Sequence, residues 1–338
     1  MRCGGALGRF AGCALLAGCV AAPRLLGPMP VRNQHPAQLT VLHLPPAPAA
    51  VLPAGAAAAR LDSAYSSLFL DGVGSGGRSW RMDGEYLRTA LAARIGLGAD
   101  LELGVELPFA HASGGFLDHF FIDFHDTFGF PDQGRKATPV DQFGIEAQRN
   151  GTTIWQVERS GLELLDVPLA LTWQVSDPGR GLGVALRGGI ELPTGNDARG
   201  YGNGQPDLGL GILLEHHALG CGWYGHLQHT FAGTPAQARA ADFHFADVTS
   251  AGLAAEVPLA DGATALLQVE WENSTLRELG IPVASRNQML LWGGLRLDAG
   301  GGWDLEIGFG EDLQGLVSPD FTAWLSLAWN PGAAGPKR

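Results

Sequence analysis

The chain has 338 residues, of which 46% are hydrophobic, only 17% are charged and 50 are glycine. Soluble domains carry about a quarter of charged residues, so the surface of this protein is unusually poor in charge. The net charge of −12 excludes nucleic-acid binding through a basic patch. Beyond the N-terminus no apolar run reaches about 18 residues, which argues against helical membrane spans. What remains is a glycine-rich β protein, either a barrel or a sandwich.

Residues 1–22 are typical of a secretory signal peptide, with Arg2 and Arg9 ahead of a short apolar core. Leu16-Ala17-Gly18-Cys19 resembles a bacterial lipobox, in which Cys19 is the lipidation candidate, and ordinary cleavage near residues 20–22 is the alternative. Either route takes the protein out of the cytoplasm. Only Cys221 lies beyond this leader, so we expect no internal disulfide.

Residues 23–56 are rich in proline and alanine and predict an extended periplasmic lead-in rather than a domain. Within them, residues 38–44 fit either a strand or a short plug segment. Residues 330–338 are expected to form a flexible tail.

From residue 57 to residue 329 the apolar residues alternate with a period of two, which is typical of β-strands. The clearest stretch is 83–109, a predicted hairpin with one apolar face and one polar face of small residues. Twelve such runs are found, at 57–70, 85–97, 101–109, 162–175, 182–192, 207–217, 221–231, 248–259, 263–272, 287–298, 303–310 and 321–329.

The connections between these runs alternate between short turns and longer loops. Outer-membrane barrels show this pattern, with short periplasmic turns and an even number of strands. We therefore predict an all-β, antiparallel transmembrane β-barrel of about twelve strands, with ten or fourteen as alternatives, in the outer membrane of a Gram-negative bacterium. The longer loops are predicted at 71–84, 110–161, 193–206, 232–247, 273–286 and 311–320.

The two faces of the predicted strands differ in charge. The apolar faces have no charged residue in mid-strand, as expected for a wall that touches lipid. A soluble sandwich shows the same alternation, but aromatic residues at strand ends favour the membrane. These aromatic residues are Phe109, Phe231, Trp271, Trp303 and Trp329. The opposite faces carry Asp166, Arg187, Glu191, Glu215, Glu256, Glu270, Arg296, Asp304 and Glu306.

The longest loop, 110–161, contains an apolar spacing within 114–128 that predicts a short amphipathic helix. Its polar side carries Asp118, His119, Asp123, His125 and Asp126. One interpretation is a helix that dips into the lumen, or lies on the outer leaflet, and binds or gates a ligand. The other is a rim cap whose aromatic residues are buried while its polar side faces water. The spacing matches no metal-ligand motif.

The segments GGFLDHFFIDFHDTFGFPDQGR (114–135), GPMPVRNQHP (27–36) and DGEYLR (83–88) resemble a bacterial family classed as a domain of unknown function, number 3187. The resemblance covers nearly the whole mature chain. It implies a secreted or outer-membrane barrel and transfers no catalytic residue.

We expect passive transport or binding of a small solute, in a lumen that weakly favours cations because its acidic residues outnumber its arginines. Arg88 and Arg94 are expected to pair with Glu102 and Glu106 across a hairpin and to narrow the pore, and the 110–161 loop is the expected constriction. The alternatives are a structural barrel and a lipid-active hydrolase, and we favour a protein that is not an enzyme. No recognisable nucleophile motif surrounds the hydrolase candidates Ser250, Asn273, Ser274, His216, His217, His226 and His229. We expect no cofactor and no metal. The expected partners are outer-membrane lipid, the barrel-assembly machinery and a small solute.

Overall fold

The computed structural model describes residues 25–129, 134–314, 318, 319 and 321–331, without the side chains of Phe124, His125 and Phe128. The predicted signal peptide with Cys19 and most of the predicted tail lie outside these residues.

The described residues contain fifteen strands and three α-helices. The helices are α1 (Asp118–Phe128), α2 (Ala236–Ala240) and α3 (Pro282–Ser285). Single 3₁₀ turns occur at Gln38–Thr40, Arg135–Ala137, Pro178–Arg180, Asp197–Arg199 and Arg277–Leu279. The strands are β1 (Ala57–Gly74), β2 (Arg78–Gly98), β3 (Leu101–Ser113), β4 (Gly144–Arg149), β5 (Thr152–Val157), β6 (Glu163–Leu164), β7 (Val167–Ser176), β8 (Gly183–Leu192), β9 (Asp207–Ala218), β10 (Cys221–Phe231), β11 (Val248–Ala260), β12 (Ala263–Glu272), β13 (Gln288–Gly300), β14 (Trp303–Asp312) and β15 (Phe321–Trp329).

Twelve of these strands form a closed antiparallel barrel. Strands β1, β2 and β3 are followed around the wall by β7 to β15, and β15 pairs with β1 to close it. The predicted twelve-stranded barrel is confirmed. Both ends of the barrel chain lie at the short-turn end, where Ala59 pairs with Trp329. This end is the periplasmic one in outer-membrane barrels.

The outer wall is an apolar belt. Outward-facing leucines are exposed on many strands, for example Leu91, Leu210 and Leu253, which are 53%, 64% and 73% exposed. So large a continuous apolar surface is unstable in water and matches hydrocarbon. Among the described residues, no helix is long and apolar enough to cross a bilayer.

Two of the predicted loops contain strands that the sequence did not predict. Residues 71–84 were expected to be a loop, but β1 and β2 continue to a turn in which Gly76 and Gly77 have φ of +70° and +64°. The predicted 110–161 loop contains the β4–β5 hairpin, which extends the sheet beyond β2. Its turn is Asn150-Gly151, with φ of +54° and +72°. Asn-Gly between alternating apolar residues is a strong hairpin signal that our count of strands missed.

These extensions build an apolar cap over the long-loop end of the barrel. Its rings stack in series, because Trp80 lies 6.1 Å from Trp155, and Trp155 lies 5.9 Å from Phe245. Ala37, Leu39 and Val41, which precede the barrel in the chain, pack beneath it. The cap includes Leu68, Met82, Tyr86, Ile145, Ile154, Val157, Tyr201, Phe243, Leu276 and Ile281.

The prediction that residues 23–56 form a periplasmic lead-in is wrong for the described part. Residues 25–52 lie inside the barrel, most of those from Gly27 to Ala49 are buried, and the exposed residues 53–55 connect them to β1. We call residues 25–56 the lumen segment. The strand ladders do not include it, so the wall is complete without it.

Candidate functional site

The lumen segment passes up the barrel and back down again. Its ascending arm (26–34) starts beside Glu256 at the short-turn end and reaches Glu272 at the other end. Its tip (35–40) lies under the cap, where the His35 ring stacks on Trp80 at 5.3 Å. Its descending arm (41–52) returns to Glu102, next to the start of β1. The ascending and descending arms of the lumen segment therefore fill the lumen.

The composition of the lumen segment explains why it joins no sheet. Seven of its 32 residues are proline, which has no N–H to donate to a ladder. The N–H groups that remain need acceptors inside the barrel, because a buried donor without a partner costs free energy. Inward-facing carboxylates of the wall supply many of them.

Five wall carboxylates accept hydrogen bonds from the lumen segment. Four of them bind backbone N–H groups, and Glu272 binds the side-chain amides of Asn33 and Gln38 at 2.9 and 2.7 Å. The backbone donors are Gly27 to Glu256 (2.9 Å), Leu42 to Asp207 (2.8 Å), Ala50 to Glu215 (2.9 Å) and Leu52 to Glu102 (3.0 Å).

The wall also donates hydrogen bonds to carbonyl groups of the segment. Arg296 Nη2 donates to Gly27 O at 2.8 Å, and Arg187 Nη1 donates to Pro45 O at 2.5 Å. The charged inner face therefore accepts hydrogen bonds from backbone N–H groups of the lumen segment and donates hydrogen bonds to its backbone carbonyl groups.

Glycines on the inner face make room for the apolar side chains of the segment. A Cβ atom on Gly189 would lie 2.5 Å from Leu44 Cδ2, and one on Gly209 would lie 2.9 Å from Leu42 Cδ2. A Cβ atom on Gly294 would lie 2.8 Å from Met29 Sδ. These glycines are needed for the close approach of the segment to the wall.

Gly189→Val is expected to destabilise the docked segment by about 1–3 kcal/mol, because the added methyl groups overlap Leu44. Hydrogen exchange of peptides from residues 25–56 measures this loss. Gly188→Val is the matched control, because Gly188 faces outward and a Cβ there meets no atom within 4 Å. Equal exchange in the two variants would show that docking of the segment does not depend on the absence of a side chain at Gly189.

The tip of the segment holds a buried neutral histidine beyond the apolar belt. His35 Nδ1 accepts a hydrogen bond from Ala37 N at 3.2 Å, and its Nε2 has no partner among the described residues. Burial lowers the pKa of His35 to about 3. The docked tip therefore excludes the imidazolium form.

Acid is expected to weaken docking of the tip. When the segment is released, the pKa of His35 returns to an ordinary value of about 6.5. Below that pH the released form therefore binds a proton that the docked form does not bind. Docking is therefore strongest above pH ~6.5 and loses about 1.4 kcal/mol for each pH unit below it, down to the docked pKa of about 3. Hydrogen exchange of the segment at pH 7 and pH 5 measures the difference, and His35→Gln should reduce it. Identical pH profiles for the wild type and His35→Gln would contradict this assignment.

The predicted cross-hairpin ion pairs are present. Arg88 pairs with Glu106, and Arg94 Nη1 lies 3.2 Å from Glu102 Oε1. All four side chains face inward, and Arg94, Glu102 and Glu106 line a cavity beside residues 43–45 of the descending arm. Glu102 also accepts a hydrogen bond from the Leu52 N–H, a contact that the sequence did not predict.

The polar residues of α1 do not converge on a ligand. Asp118 is buried, forms an ion pair with Arg135 and accepts the Asp141 N–H at 2.7 Å, so it fastens the loop. His119 and Asp123 are exposed, and Asp126 pairs with Lys136 on the surface. The side chain of His125 lies outside the described residues.

Helix α1 lies against the outer face of the rim. Phe121 is 5.9 Å from Phe321, and Arg135 lies 4.7 Å over Phe69 of β1. Glu85 accepts the Phe116 N–H just before the helix at 2.8 Å. The expected constriction by the 110–161 loop is therefore wrong, because the lumen segment occupies the pore.

The 193–206 loop is fastened by a buried carboxylate. Asp166 accepts the Gly195 and Asn203 N–H groups at 2.7 and 3.0 Å. Burial raises the pKa of Asp166 to about 6, while these backbone donors hold it lower than burial alone would. This loop closes part of the cap.

The hydrolase candidates do not assemble. Ser274 Oγ donates to Ala284 O at 2.6 Å, and Ser250 Oγ accepts from Gln228 at 2.6 Å. Within the described residues neither serine hydrogen-bonds to a histidine. His226 lies 3.0 Å from Glu270, His217 bonds to Glu215, and Asn273 binds backbone groups. In the same part of the chain, no group of three or more His, Cys, Asp and Glu residues is placed to hold a metal ion.

Comparison with known proteins agrees with this architecture. The family described as "Protein of unknown function (DUF3187)" matches residues 10–330. The chain belongs to this family. No curated protein matches it.

Among solved structures, this DUF3187 chain is similar to an outer-membrane channel from Pseudomonas putida F1, with 13% identity and a TM-score of 0.54 over 85% of this chain and 99% of that one. It also matches the translocator domain of the autotransporter NalP from Neisseria meningitidis, with 11% identity and a TM-score of 0.43 over 82% and 89% of the two chains. A third match is the toluene transporter TodX from P. putida, with 10% identity and a TM-score of 0.39 over 81% and 90%. The first match shows that the DUF3187 protein has the fold of an outer-membrane β-barrel.

Proposed function

We propose that this protein is an outer-membrane channel for a small solute and that its own lumen segment closes it. The observation that carries the proposal is the kind of contact between the segment and the wall. Five carboxylates and two arginines of the wall hold the segment mainly through its backbone, and water can replace such hydrogen bonds.

The barrel is also independent of the segment. Each of its twelve strands pairs with barrel strands on both sides. Withdrawal of residues 25–52 therefore leaves every ladder of the wall intact, whereas removal of a wall strand would open the sheet. This separability is what a movable closure requires.

The opened lumen is proposed to favour cations. Inward-facing carboxylates on the described barrel strands exceed arginines, and a wall of one predominant sign concentrates the opposite ion. The arginines are Arg60, Arg88, Arg94, Arg187 and Arg296. The carboxylates are Asp62, Glu102, Glu106, Glu191, Asp207, Glu215, Glu256, Glu270, Glu272, Asp304 and Glu306.

Planar-bilayer recording of the full chain and of a variant lacking residues 28–50 tests the proposal. The full chain is expected to be mostly silent, and the deletion should show steady, cation-selective openings. Migration before and after boiling confirms that both barrels are folded. A silent, folded deletion variant would favour a structural barrel, and silence with lipid turnover would favour the hydrolase.

A reversible lock gives an independent test. Ala49 of the segment and Ala185 of β8 belong to one small buried cluster, so cysteines at both positions, in a Cys221→Ser background, are expected to form a disulfide. Reduction of this disulfide should allow the segment to leave the lumen and should therefore raise the open probability of the channel. The single Ala185→Cys variant is the control.

A further inference from the structure

The lower half of the lumen contains a group of arginines around a cavity. A cavity of about 100 Å³ lies between the two arms and the wall, next to Trp329 and Asn330 at the short-turn end. A second one of about 50 Å³ shares Arg60, Arg94 and Arg187 with it. These three guanidinium groups therefore lie around one polar space, which the carboxylates Glu102, Glu106, Asp304 and Glu306 also line.

Arg187 differs from the other arginines of this wall. Arg60, Arg88, Arg94 and Arg296 each form an ion pair with at least one carboxylate. Arg187 has no carboxylate within 4.0 Å among the described residues, and its hydrogen bond goes to the Pro45 carbonyl. Its Nε is buried and has no partner in the same part of the chain.

A buried arginine without an ion-pair partner is costly, because its charge is only partly solvated. The guanidinium plane offers two parallel N–H groups, which match the two oxygens of a carboxylate or a phosphate. Arg60 and Arg94 line the same cavity, each in an ion pair with a carboxylate, and they offer further N–H donors there. Prolines of both arms line part of the remaining wall.

We propose that Arg187, supported by Arg60 and Arg94, binds the oxyanion group of a small carboxylate or phosphate solute. The cavity faces the lumen and its short-turn mouth, so the ligand arrives as a dissolved solute and not as a lipid headgroup. Bound there, the anion competes with the Pro45 carbonyl for Arg187. This site is local and is compatible with a lumen that is acidic overall.

Titration calorimetry of the full chain in detergent, with inorganic phosphate and with acetate as probes, tests the site without any current measurement. Both probes should bind saturably, and Arg187→Gln should weaken binding by about 10- to 100-fold. Arg180→Gln is the matched control, because Arg180 lies in an exposed turn with 89% of its side chain accessible.

Arg187→Lys keeps the charge and removes the paired donors, so it should bind with intermediate affinity and serves if Arg187→Gln does not fold. Equal affinities for the wild type and the folded Arg187 variants would overturn the assignment. Absence of saturable binding to the wild type up to about 10 mM would overturn it as well. Because no channel opening is needed, failure here leaves the transport proposal standing.

Discussion

Arg296→Ala is expected to lower the free energy of unfolding of the barrel by about 3–5 kcal/mol. Arg296 pairs with Glu256 and with Glu306, the latter at 2.7 Å, and donates to the Gly27 carbonyl. All three charged side chains are buried. Its removal leaves two carboxylates without a counter-charge, and it releases the start of the ascending arm. The midpoint of urea unfolding in lipid measures the loss.

The matched control is Arg180→Ala, whose exposed pair with Asp177 should contribute about 0–1 kcal/mol. Adding Glu256→Gln and Glu306→Gln to Arg296→Ala should recover part of the stability, because both side chains that lost their counter-charge are then neutral. If the triple variant were no more stable than Arg296→Ala, the loss would come from packing and not from charge.

Trp80→Ala should cost about 3–5 kcal/mol and should free the tip of the lumen segment. Trp80 is 1% exposed and lies between His35 of the tip and Trp155 of the cap. Its loss leaves a large cavity at the point where the segment turns. Urea unfolding measures the stability, and hydrogen exchange of residues 25–56 measures the release.

Trp223→Ala provides the comparison for Trp80→Ala. Trp223 lies on the outer face of β10 and is 47% exposed, so truncation there leaves no internal cavity. A much smaller change in both measurements is expected. If both variants released the segment equally, Trp80 would not be the residue that holds the tip.

Together these residues describe a closure with two anchors. The charged anchor is at the short-turn end, where Glu256 and Arg296 hold residues 26 and 27. The aromatic anchor is under the cap, where Trp80 holds His35. Acid acts on the aromatic anchor through His35, and an anion at Arg187 acts between the two.

The wall of the barrel was predictable from the sequence alone. A strand has a period of two, so the alternation of Leu91, Leu107 and their neighbours with charged or small residues determines which side chains face lipid. The strand number, the position of both barrel ends and the ion pairs of Arg88 and Arg94 follow from this alternation and from the lengths of the turns.

What fills the barrel was decided by the tertiary structure. The lumen segment has no periodicity of its own, because proline interrupts both helix and strand patterns. Its conformation comes from partners 50 to 269 residues away, such as Glu102 and Arg296. The one signal in the sequence was an apolar stretch with a single fixed charge, Arg32, in a chain that leaves the cytoplasm. Periodicity reports which face of a strand is buried. It does not report which distant segment supplies the hydrogen-bond partners of a charged lumen, and only the closed barrel brings those partners together.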